Sequence, residues 1–149
     1  MKYVDYLNTG IGLLKIEATD SSITAINLVN TKDKPINENN IIKECKQELT
    51  EYFNKTRTKF NCKIEFKGTN FQHQVWQALT TIPYGKTVSY QDIANMINNP
   101  KAVRAVGSAI HNNSILIIVP CHRVIGKNGK LVGFAYGLDV KEKLLDIER

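Results

Sequence analysis

A cysteine followed directly by a histidine is the residue pair in this 149-residue chain best suited to covalent chemistry. Cys121 and His122 end an apolar run, residues 115–124, with the sequence ILIIVPCHRV. A thiolate is a strong nucleophile, but an apolar setting raises the pKa of a thiol, so Cys121 needs help to lose its proton. His122 is the candidate base, acting directly or through a water molecule.

The segment before the cysteine and the last helix are the elements that must position this pair. Residues 115–119 are continuous, apolar and β-branched, which predicts a strand buried on both faces and ended by Pro120. A helix over residues 140–147 is predicted to begin after Asp139 as its N-cap. In projection Glu148 shares the apolar face of that helix. A buried carboxylate needs a partner, which His122 could be; the alternative is a solvated chain end.

Three helices are predicted between residues 69 and 110. Thr69 and Ser89 each begin a capping-box pattern, with Gln72 and Asp92 three residues further on. A short turn follows the second helix, and we expect the third helix to run from Lys101 to about residue 110, with Asn99 as N-cap and Pro100 at its first position. Two short helices joined by a tight turn are the outline of a helix-turn-helix.

The third helix has an unusual outward surface. At 100° per residue its apolar face consists of Val103, Val106 and Ile110. The polar stripe consists of Lys101, Arg104, Ser108 and His111. Small residues lie beside that stripe, namely Ala102, Ala105 and Ala109, with Gly107 at its flank. Small side chains permit close approach of the backbone and the cations favour a polyanion, although an ordinary alanine-rich helix is the alternative.

The N-terminal third contains no constellation of reactive side chains. Strands are predicted over residues 4–7, 13–18 and 23–29, a helix over 41–53 and an extended segment over 60–66. Cys45 lies on the apolar stripe of that helix, and Cys62 alternates with apolar neighbours, so both read as core residues. Near the other end of the chain, Asn128-Gly129 predicts a hairpin over residues 125–132. The glycine-bracketed loop 133–137 is either a pocket wall or a connector.

Composition limits the class of protein. The net charge of +6, from 20 basic and 14 acidic residues, permits a nucleic-acid partner, although an ordinary basic soluble protein explains it as well. No apolar run approaches the ~20 residues that cross a bilayer, and the first residues lack a signal-peptide pattern. We therefore expect a cytoplasmic protein with no membrane association. Three cysteines without a CxxC pair predict free thiols and no zinc site.

Four segments together resemble a known family, the O6-alkylguanine-DNA alkyltransferases, also called methylated-DNA–protein-cysteine methyltransferases. They are IPYGKTVSY at 82–90, RAVGSA at 104–109, PCHRV at 120–124 and GLxxKxxLLxxE at 137–148. The resemblance covers residues 68–148 in continuous order. It implies an α+β fold, with a small sheet-plus-helix domain at residues 1–67. A mainly helical, winged-helix-like domain with the helix-turn-helix would occupy 68–149.

The resemblance also implies roles for individual residues. Cys121 would accept the alkyl group, His122 would take its proton through water, and Glu148 would orient His122. Asn113 would tie the active-site turn to the helix-turn-helix. Tyr90 would help rotate the nucleotide out and contact the guanine. The remaining implied residues bind DNA through the minor groove (Lys101, Ala102, Arg104, Ala105, Gly107, Ser108, with Arg104 replacing the extruded base) or form the substrate pocket (Val119, Phe134, Ala135, Tyr136).

The implied activity is DNA repair by irreversible transfer of a methyl or larger alkyl group from O6-alkylguanine in double-stranded DNA, with O4-alkylthymine as an alternative substrate. The base would be flipped out, the protein would act once as a monomer, and no cofactor would be needed. Alkyltransferase-like proteins, which bind without repair, carry tryptophan at the cysteine position, so Cys121 argues against that alternative. A helix-turn-helix regulator and a Cys–His hydrolase are further alternatives.

The chain departs from the family pattern at several positions near the expected pocket. Tyr136 stands where a glycine is frequent, which predicts a narrow pocket that takes methyl readily and benzyl-type adducts poorly. Ala135 offers no hydroxyl, so contacts to the base would come from the backbone amide of Tyr136 or its neighbours and from the carbonyls of Cys121 and Val119. Ser114 replaces a common proline, and Lys141, on the Glu148 face, could lower the pKa of the thiol.

Overall fold

A computed structural model describes residues 2–129 and 133–149 of the chain. The chain divides into two compact units, and each is described by itself below. The first unit comprises Met1–Phe66 together with Ser114–Leu116, and the second comprises Lys67–Asn113 together with Ile117–Arg149. No helix among the described residues is long and apolar enough to cross a bilayer.

The first unit is built on a three-stranded antiparallel sheet in the order β1-β2-β3. The strands are β1 (Tyr3–Thr9), β2 (Gly12–Ala18) and β3 (Ile23–Val29). The pairing of Thr9 with Gly12 closes the first hairpin tightly. All three predicted strands are confirmed, and β1 extends beyond its predicted bounds to Tyr3 and Thr9.

Helix α1 (Asn40–Phe53) packs on this sheet through the face that the sequence predicted. The predicted stripe, Ile42, Cys45, Leu49 and Tyr52, is fully buried. Burying each of the larger apolar side chains contributes about 1.5–3 kcal/mol. Asn39 caps the helix by accepting a hydrogen bond from the Ile42 amide at 3.0 Å.

Two extended segments complete the first unit. Residues 60–66 alternate between partly buried and exposed side chains, as predicted, and Ile64 forms a parallel bridge with Ile23. The segment Ser114–Leu116 forms a second bridge, because Ile26 donates to the Ser114 carbonyl and accepts from the Leu116 amide. The sheet is therefore extended by a piece of chain that arrives long after the strands themselves.

The second unit is mainly helical. It contains α2 (Asn70–Thr80), α3 (Tyr90–Met96), α4 (Val103–His111) and α5 (Leu138–Ile147). A short parallel pair joins β4 (Val88–Ser89) to β5 (Val124–Ile125). Both predicted capping boxes are confirmed, at Thr69 with Gln72 and at Ser89 with Asp92. Helices α3 and α4 pack against each other, as the predicted helix-turn-helix requires.

Helix α4 begins later than predicted. Pro100 lies in a turn closed by a hydrogen bond from the Ala102 amide to the Asn99 carbonyl, 3.0 Å long, so it cannot be the first helical residue. Ala102 is the N-cap and no side chain caps the helix. Ala109 was predicted to face outward, but it is only 3% exposed because the Trp76 indole packs beside it and donates to its carbonyl at 2.8 Å.

The predicted strand over residues 115–119 is wrong, although its burial is right. Only Ile115 forms a bridge, and the chain then turns through Ile117, whose φ of 73° is rare for a β-branched residue and costs about 1–3 kcal/mol. A continuous apolar run reports burial and not conformation. Gly137, not Asp139, is the N-cap of α5. The predicted hairpin continues into residues 130–132, which lie outside the described residues; before them, Lys127–Gly129 form a 3-10 turn.

Candidate active site

Two consecutive tight turns present the cysteine. Pro120, with φ −82° and ψ 64°, is the centre of an inverse γ-turn in which the Cys121 amide donates to the Val119 carbonyl at 2.8 Å. Cys121–Arg123 then form a single 3-10 turn, closed by the Val124 amide on the Cys121 carbonyl. Because proline fixes φ, the thiol, the imidazole and the guanidinium leave the backbone from one rigid, buried corner.

The thiol of Cys121 is surrounded by groups that favour its ionised form. It is 6% exposed, and this burial raises its pKa to about 11. The Asn113 side chain donates from Nδ2 to Sγ at 3.2 Å, and it also donates to the Val119 carbonyl at 2.9 Å, which fixes its direction. The positive charge of Lys141 and the backbone amides of Cys121 and His122 act in the same sense. The thiol is therefore protonated in the free protein at neutral pH. The groups that would stabilise its thiolate form are already in place around the sulfur.

His122 is fully buried and held at one end. Its Nε2 lies 2.5 Å from Oε2 of Glu148, while its Nδ1 has no hydrogen-bond partner among the described residues. Burial lowers the pKa of His122 and outweighs the neighbouring carboxylate, which raises it. The imidazole is accordingly neutral at pH 7, and the carboxylate selects the tautomer with the proton on Nε2. That tautomer leaves Nδ1 free to accept a proton.

Glu148, just past the end of α5, is a buried carboxylate with both oxygens satisfied. Oε1 accepts from Arg123 Nε at 2.8 Å and from the Gly85 amide at 3.2 Å. Oε2 accepts from Arg123 Nη2 at 3.2 Å in addition to His122. Arg123 is itself anchored, because Nη1 donates to the Ile82 carbonyl at 2.6 Å. The frayed, solvated chain end that the sequence left open is therefore excluded.

Lys141 is a second buried charge near the thiol. It is 0% exposed, and Nζ donates to the Val124 carbonyl at 2.5 Å. Burial lowers its pKa to about 8, against a smaller opposite effect of Cys121. Its Nζ lies 6.0 Å from the ring centroid of Phe134, a cation–π arrangement. An ammonium held here stabilises a thiolate through its positive charge, without forming a covalent bond.

The thiol opens into a small cleft of about 240 Å³, a volume that includes its open mouth. One wall is the end of α4, with Ile110 and His111, and the opposite wall is the loop Gly133–Tyr136. The rings of Phe134 and Tyr136 meet edge to face at 6.1 Å. Tyr90, at the start of α3, donates from its hydroxyl to the Gly133 carbonyl at 3.2 Å and so joins this loop to the helix-turn-helix.

The structure brings most of the predicted site residues together. Asn113 binds the Cys121 sulfur and His122 binds Glu148, and these two pairs are adjacent because Cys121 and His122 are consecutive residues. Three of the four predicted pocket residues line the cleft with the thiol, namely Phe134, Ala135 and Tyr136. Val119 is buried, and its carbonyl already accepts from Asn113 and from the Cys121 amide, so it has little capacity left for a base.

The predicted DNA-binding residues lie elsewhere, on α4 and the turn before it. Lys101, Arg104, Ala105 and Ser108 are exposed, and Ala102 and Gly107 are half-buried. Among the described residues they are not part of the cleft lining. The cleft instead begins at the far end of α4, so one helix carries both the exposed cationic surface and a wall of the cleft.

The sequence predicted no role for Arg123, whereas Lys141 was expected to lower the pKa of the thiol and does act in that sense. Arg123 follows His122 directly in the sequence. Since Glu148 was predicted to be a buried carboxylate bound to His122, the neighbouring guanidinium could have been predicted as a second partner for it. Lys141 precedes Glu148 by seven residues, two turns of α5, so the two share a face. No signal of comparable strength marked Gly85, whose amide reaches Glu148 and whose φ of 76° suits glycine.

Comparison with protein-family models covers nearly the whole chain. Residues 70–149 match the model described as "6-O-methylguanine DNA methyltransferase, DNA binding domain". Residues 2–66 match the model described as "6-O-methylguanine DNA methyltransferase, ribonuclease-like domain". The Cys121 site lies entirely within the first of these two matches.

Named proteins of the same family are similar to this chain in sequence. A methylated-DNA–protein-cysteine methyltransferase of Methanosarcina acetivorans is 47% identical over 148 residues, which are 99% of this chain and 85% of that protein. The constitutive enzyme of that name from Bacillus subtilis is 45% identical, covering 100% of this chain and 96% of the relative. The inducible enzyme from Bacillus subtilis is 57% identical over 102 residues, a match of 68% of this chain that spans 57% of the relative's length.

Solved structures agree with the sequence comparison. The O6-methylguanine methyltransferase of Mycobacterium tuberculosis superimposes with a TM-score of 0.90 at 38% identity, covering 99% of this chain and 93% of that one. A structure of the Mycobacterium tuberculosis protein in complex with DNA gives a TM-score of 0.88 at 39% identity, covering 96% of this chain and 90% of that one.

Proposed function

This chain belongs to the 6-O-methylguanine DNA methyltransferase family, and we propose that Cys121 is the residue to which it transfers the alkyl group. The protein repairs DNA as a methylated-DNA–protein-cysteine methyltransferase. Each side chain of the site has a separate role in this transfer.

The observation that carries the assignment is the cleft. Cys121 lines it, and its sulfur faces the amide of Asn113 and the charge of Lys141. Cys45 is buried under the sheet of the first unit, and Cys62 is only half-buried there. Neither lies in the part of the chain that forms the His122–Glu148 network.

His122 removes the proton from the thiol, and a water molecule relays it to Nδ1. Nε2 stays bound to Glu148, which stabilises the imidazolium that forms. Glu148 keeps its charge because Arg123 and the Gly85 amide occupy its remaining lone pairs. In this scheme Arg123 positions the carboxylate and does not touch the substrate.

The alkylated base reaches the thiol by leaving the DNA stack, since the carbon on O6 is inaccessible inside a duplex; unstacking costs a few kcal/mol. The thiolate then attacks that carbon. A sulfur–carbon bond forms as the carbon–O6 bond breaks, and the electron pair stays with guanine. The Tyr90 hydroxyl, which donates to the Gly133 carbonyl in the free protein, donates instead to the guanine ring and stabilises the departing anion. Water does not cleave the resulting thioether, so each molecule acts once and needs no cofactor.

Helix α4 holds the duplex, and it does so through the minor groove. The exposed Ala105 and Ser108 and the half-buried Gly107 let the helix backbone come close to the DNA, and Lys101 contacts phosphate. Arg104 enters the stack in place of the extruded base. On this scheme residues 68–149 bind DNA and carry out the transfer, residues 1–67 form a separate domain, and the protein works as a monomer.

The test is transfer from a duplex oligonucleotide that contains O6-methylguanine, followed by mass analysis of cysteine peptides. The peptide with Cys121 should gain one methyl group, and Cys121→Ser should gain none. Cys62→Ser is the matched control, since it removes a partly exposed thiol in the first unit and should transfer at the rate of the unmodified protein. Methyl found on Cys45 or Cys62 would overturn the assignment.

A further inference from the structure

Cys45 and Cys62 form a pair of thiols in the first unit that the methyl-transfer reaction does not use. Cys45 lies in α1, and Cys62 lies in the extended segment over residues 60–66. The Cys62 thiol is the largest cause of the raised pKa of Cys45, so the two side chains interact directly. Both are free cysteines. We propose that this pair is an oxidation site, in which peroxide converts the two thiols to a reversible Cys45–Cys62 disulfide.

The contact is held in place by a buried carboxylate. Glu48 follows Cys45 by three residues and so lies on the same face of α1. Its Oε1 accepts from the Asn61 amide at 2.9 Å and from the Cys62 amide at 3.1 Å. The backbone at Cys62 is therefore fixed against α1 one turn from Cys45, which places the two cysteines on the same face of the helix.

The two thiols differ in access. Cys45 is 0% exposed, while Cys62 is partly exposed. The Cys62 thiol, burial and the charge of Glu48 all raise the pKa of Cys45, so Cys45 is a poor first target for an oxidant. Cys62 is the thiol that solvent reaches, and Cys45 is the buried thiol that interacts with it.

The chemistry proceeds in two balanced steps. Hydrogen peroxide oxidises the Cys62 thiol to a sulfenic acid and is reduced to water. The Cys45 sulfur then attacks the Cys62 sulfur, the S–S bond forms, and the sulfenic oxygen leaves as a second water with the proton from Cys45. Because Cys45 is rarely ionised, this second step is slow compared with that of an acidic resolving thiol.

Two consequences follow for the protein. Closing the chain between residues 45 and 62 restricts the unfolded state, so the oxidised protein should be more resistant to unfolding. The pair also protects Cys62, because a sulfenic acid that forms a disulfide is not carried on to the irreversible sulfinic acid. None of the atoms of the Cys121 network belongs to the first unit, so transfer capacity should be retained once the thiols are oxidised.

The experiment uses the full chain with Cys121→Ser, so that the acceptor thiol cannot compete. The protein is treated with a slight excess of hydrogen peroxide, unfolded in the presence of a maleimide, digested, and analysed by mass spectrometry. We expect peptides containing Cys45 and Cys62 to be joined and two hydrogens lighter, and dithiothreitol to separate them. The melting temperature of the oxidised protein should rise by about 5 °C.

Two variants control the result. Cys62→Ser, at a partly exposed position, should leave Cys45 as an unoxidised thiol and abolish the rise in melting temperature. Cys45→Ala should let Cys62 proceed to the sulfinic acid. Accumulation of sulfinic acid on Cys62 while Cys45 is present, or maleimide on both cysteines after peroxide treatment, would overturn the proposal.

Discussion

Cys121 and Cys45 are both buried thiols, yet the groups around them shift the thiol pKa in opposite directions. Around Cys121 stand the Asn113 amide, the Lys141 ammonium and two backbone amides, and all of them favour a thiolate. Around Cys45 stand a second thiol and the carboxylate of Glu48, which oppose ionisation. Burial raises the pKa of both groups. Reactivity is therefore decided by the partners of a buried thiol and by its access to a cleft, and burial alone says nothing about it.

Each unit also contains a buried carboxylate, which offers the sharpest test of this contrast. Glu148→Gln removes the charge that orients His122 and should lower the transfer rate about 100-fold or more. It also leaves Arg123 buried, 6% exposed, without a counter-charge, which should cost about 3 kcal/mol of unfolding free energy. Single-turnover transfer, normalised to folded protein, measures the first effect, and urea unfolding measures the second.

Glu48→Gln is the matched control in the other unit. Glu48 is 8% exposed and binds two backbone amides, so its loss should lower stability but leave transfer per folded molecule unchanged. If the two variants slowed transfer equally, the carboxylate of the second unit would have no special part in the chemistry.

Asn113→Ala tests the most direct partner of the Cys121 sulfur. The variant loses the hydrogen bonds to Sγ and to the Val119 carbonyl, and transfer should slow about 10-fold. Without this donor the pKa of Cys121 should rise further above about 11, so the rate profile should move to higher pH. Stopped-time assays between about pH 6 and pH 10 would show the displacement.

The neighbouring Asn112 supplies the control for Asn113. Its side chain donates to the Ser108 carbonyl at 2.9 Å near the end of α4 and is exposed. Asn112→Ala should leave both the rate and its pH profile in place, and a similar displacement in this variant would point to helix α4 instead of the sulfur.

Lys141→Met separates function from stability. Transfer should slow about 5-fold, because the thiolate loses a nearby positive charge. Stability at pH 7 should be unchanged or higher, because the wild-type protein buries an ammonium whose pKa falls from 10.5 to about 8. The cost of that burial is complete below pH 8 and disappears as pH rises toward 10.5, since the folded state then holds the amine neutral.

The sign of this linkage can be checked by urea unfolding at two pH values. From about pH 7 to pH 9 the wild-type protein should gain roughly 1 kcal/mol relative to Lys141→Met. Keeping the comparison below pH 9 avoids the opposite contribution of Cys121, whose raised pKa lowers stability at higher pH. A constant difference across this range would mean that Lys141 is not titrating in the folded protein.

The smallest expected effect concerns the wall of the cleft. Tyr136 lines the cleft and its ring packs against Phe134, so we predict that the protein accepts O6-methylguanine much faster than O6-benzylguanine. Tyr136→Gly should raise the benzyl rate several-fold relative to the methyl rate. Equal rates for both adducts in the unmodified protein would contradict a narrow cleft.

The features that sequence could predict are those with local causes. The capping boxes at Thr69 and Ser89 and the stripe through Cys45 depend on residues within one or two turns, and all are present. The contact between His122 and Glu148 was predicted from the apolar face of α5 together with the family resemblance, and the hydrogen bond is present.

The predictions that were wrong or missing all depend on contacts with distant parts of the chain. Residues 115–119 are apolar because they are buried, and the turn at Ile117 depends on where the chain must go next. Ala109 is covered by Trp76 from another helix. Arg123 gained its role only when the fold brought Ile82 and Glu148 to it from distant positions.

The indole of Trp76 gives this protein a built-in optical reporter. Trp76 is the single tryptophan of the sequence, is 3% exposed, and binds through Nε1 to the Ala109 carbonyl in α4. Indole emission depends on the polarity and hydrogen bonding of its surroundings. A movement of α4 on a duplex would therefore change the colour or intensity of the intrinsic fluorescence, and the docking step could be timed in an unlabelled protein before any methyl group moves.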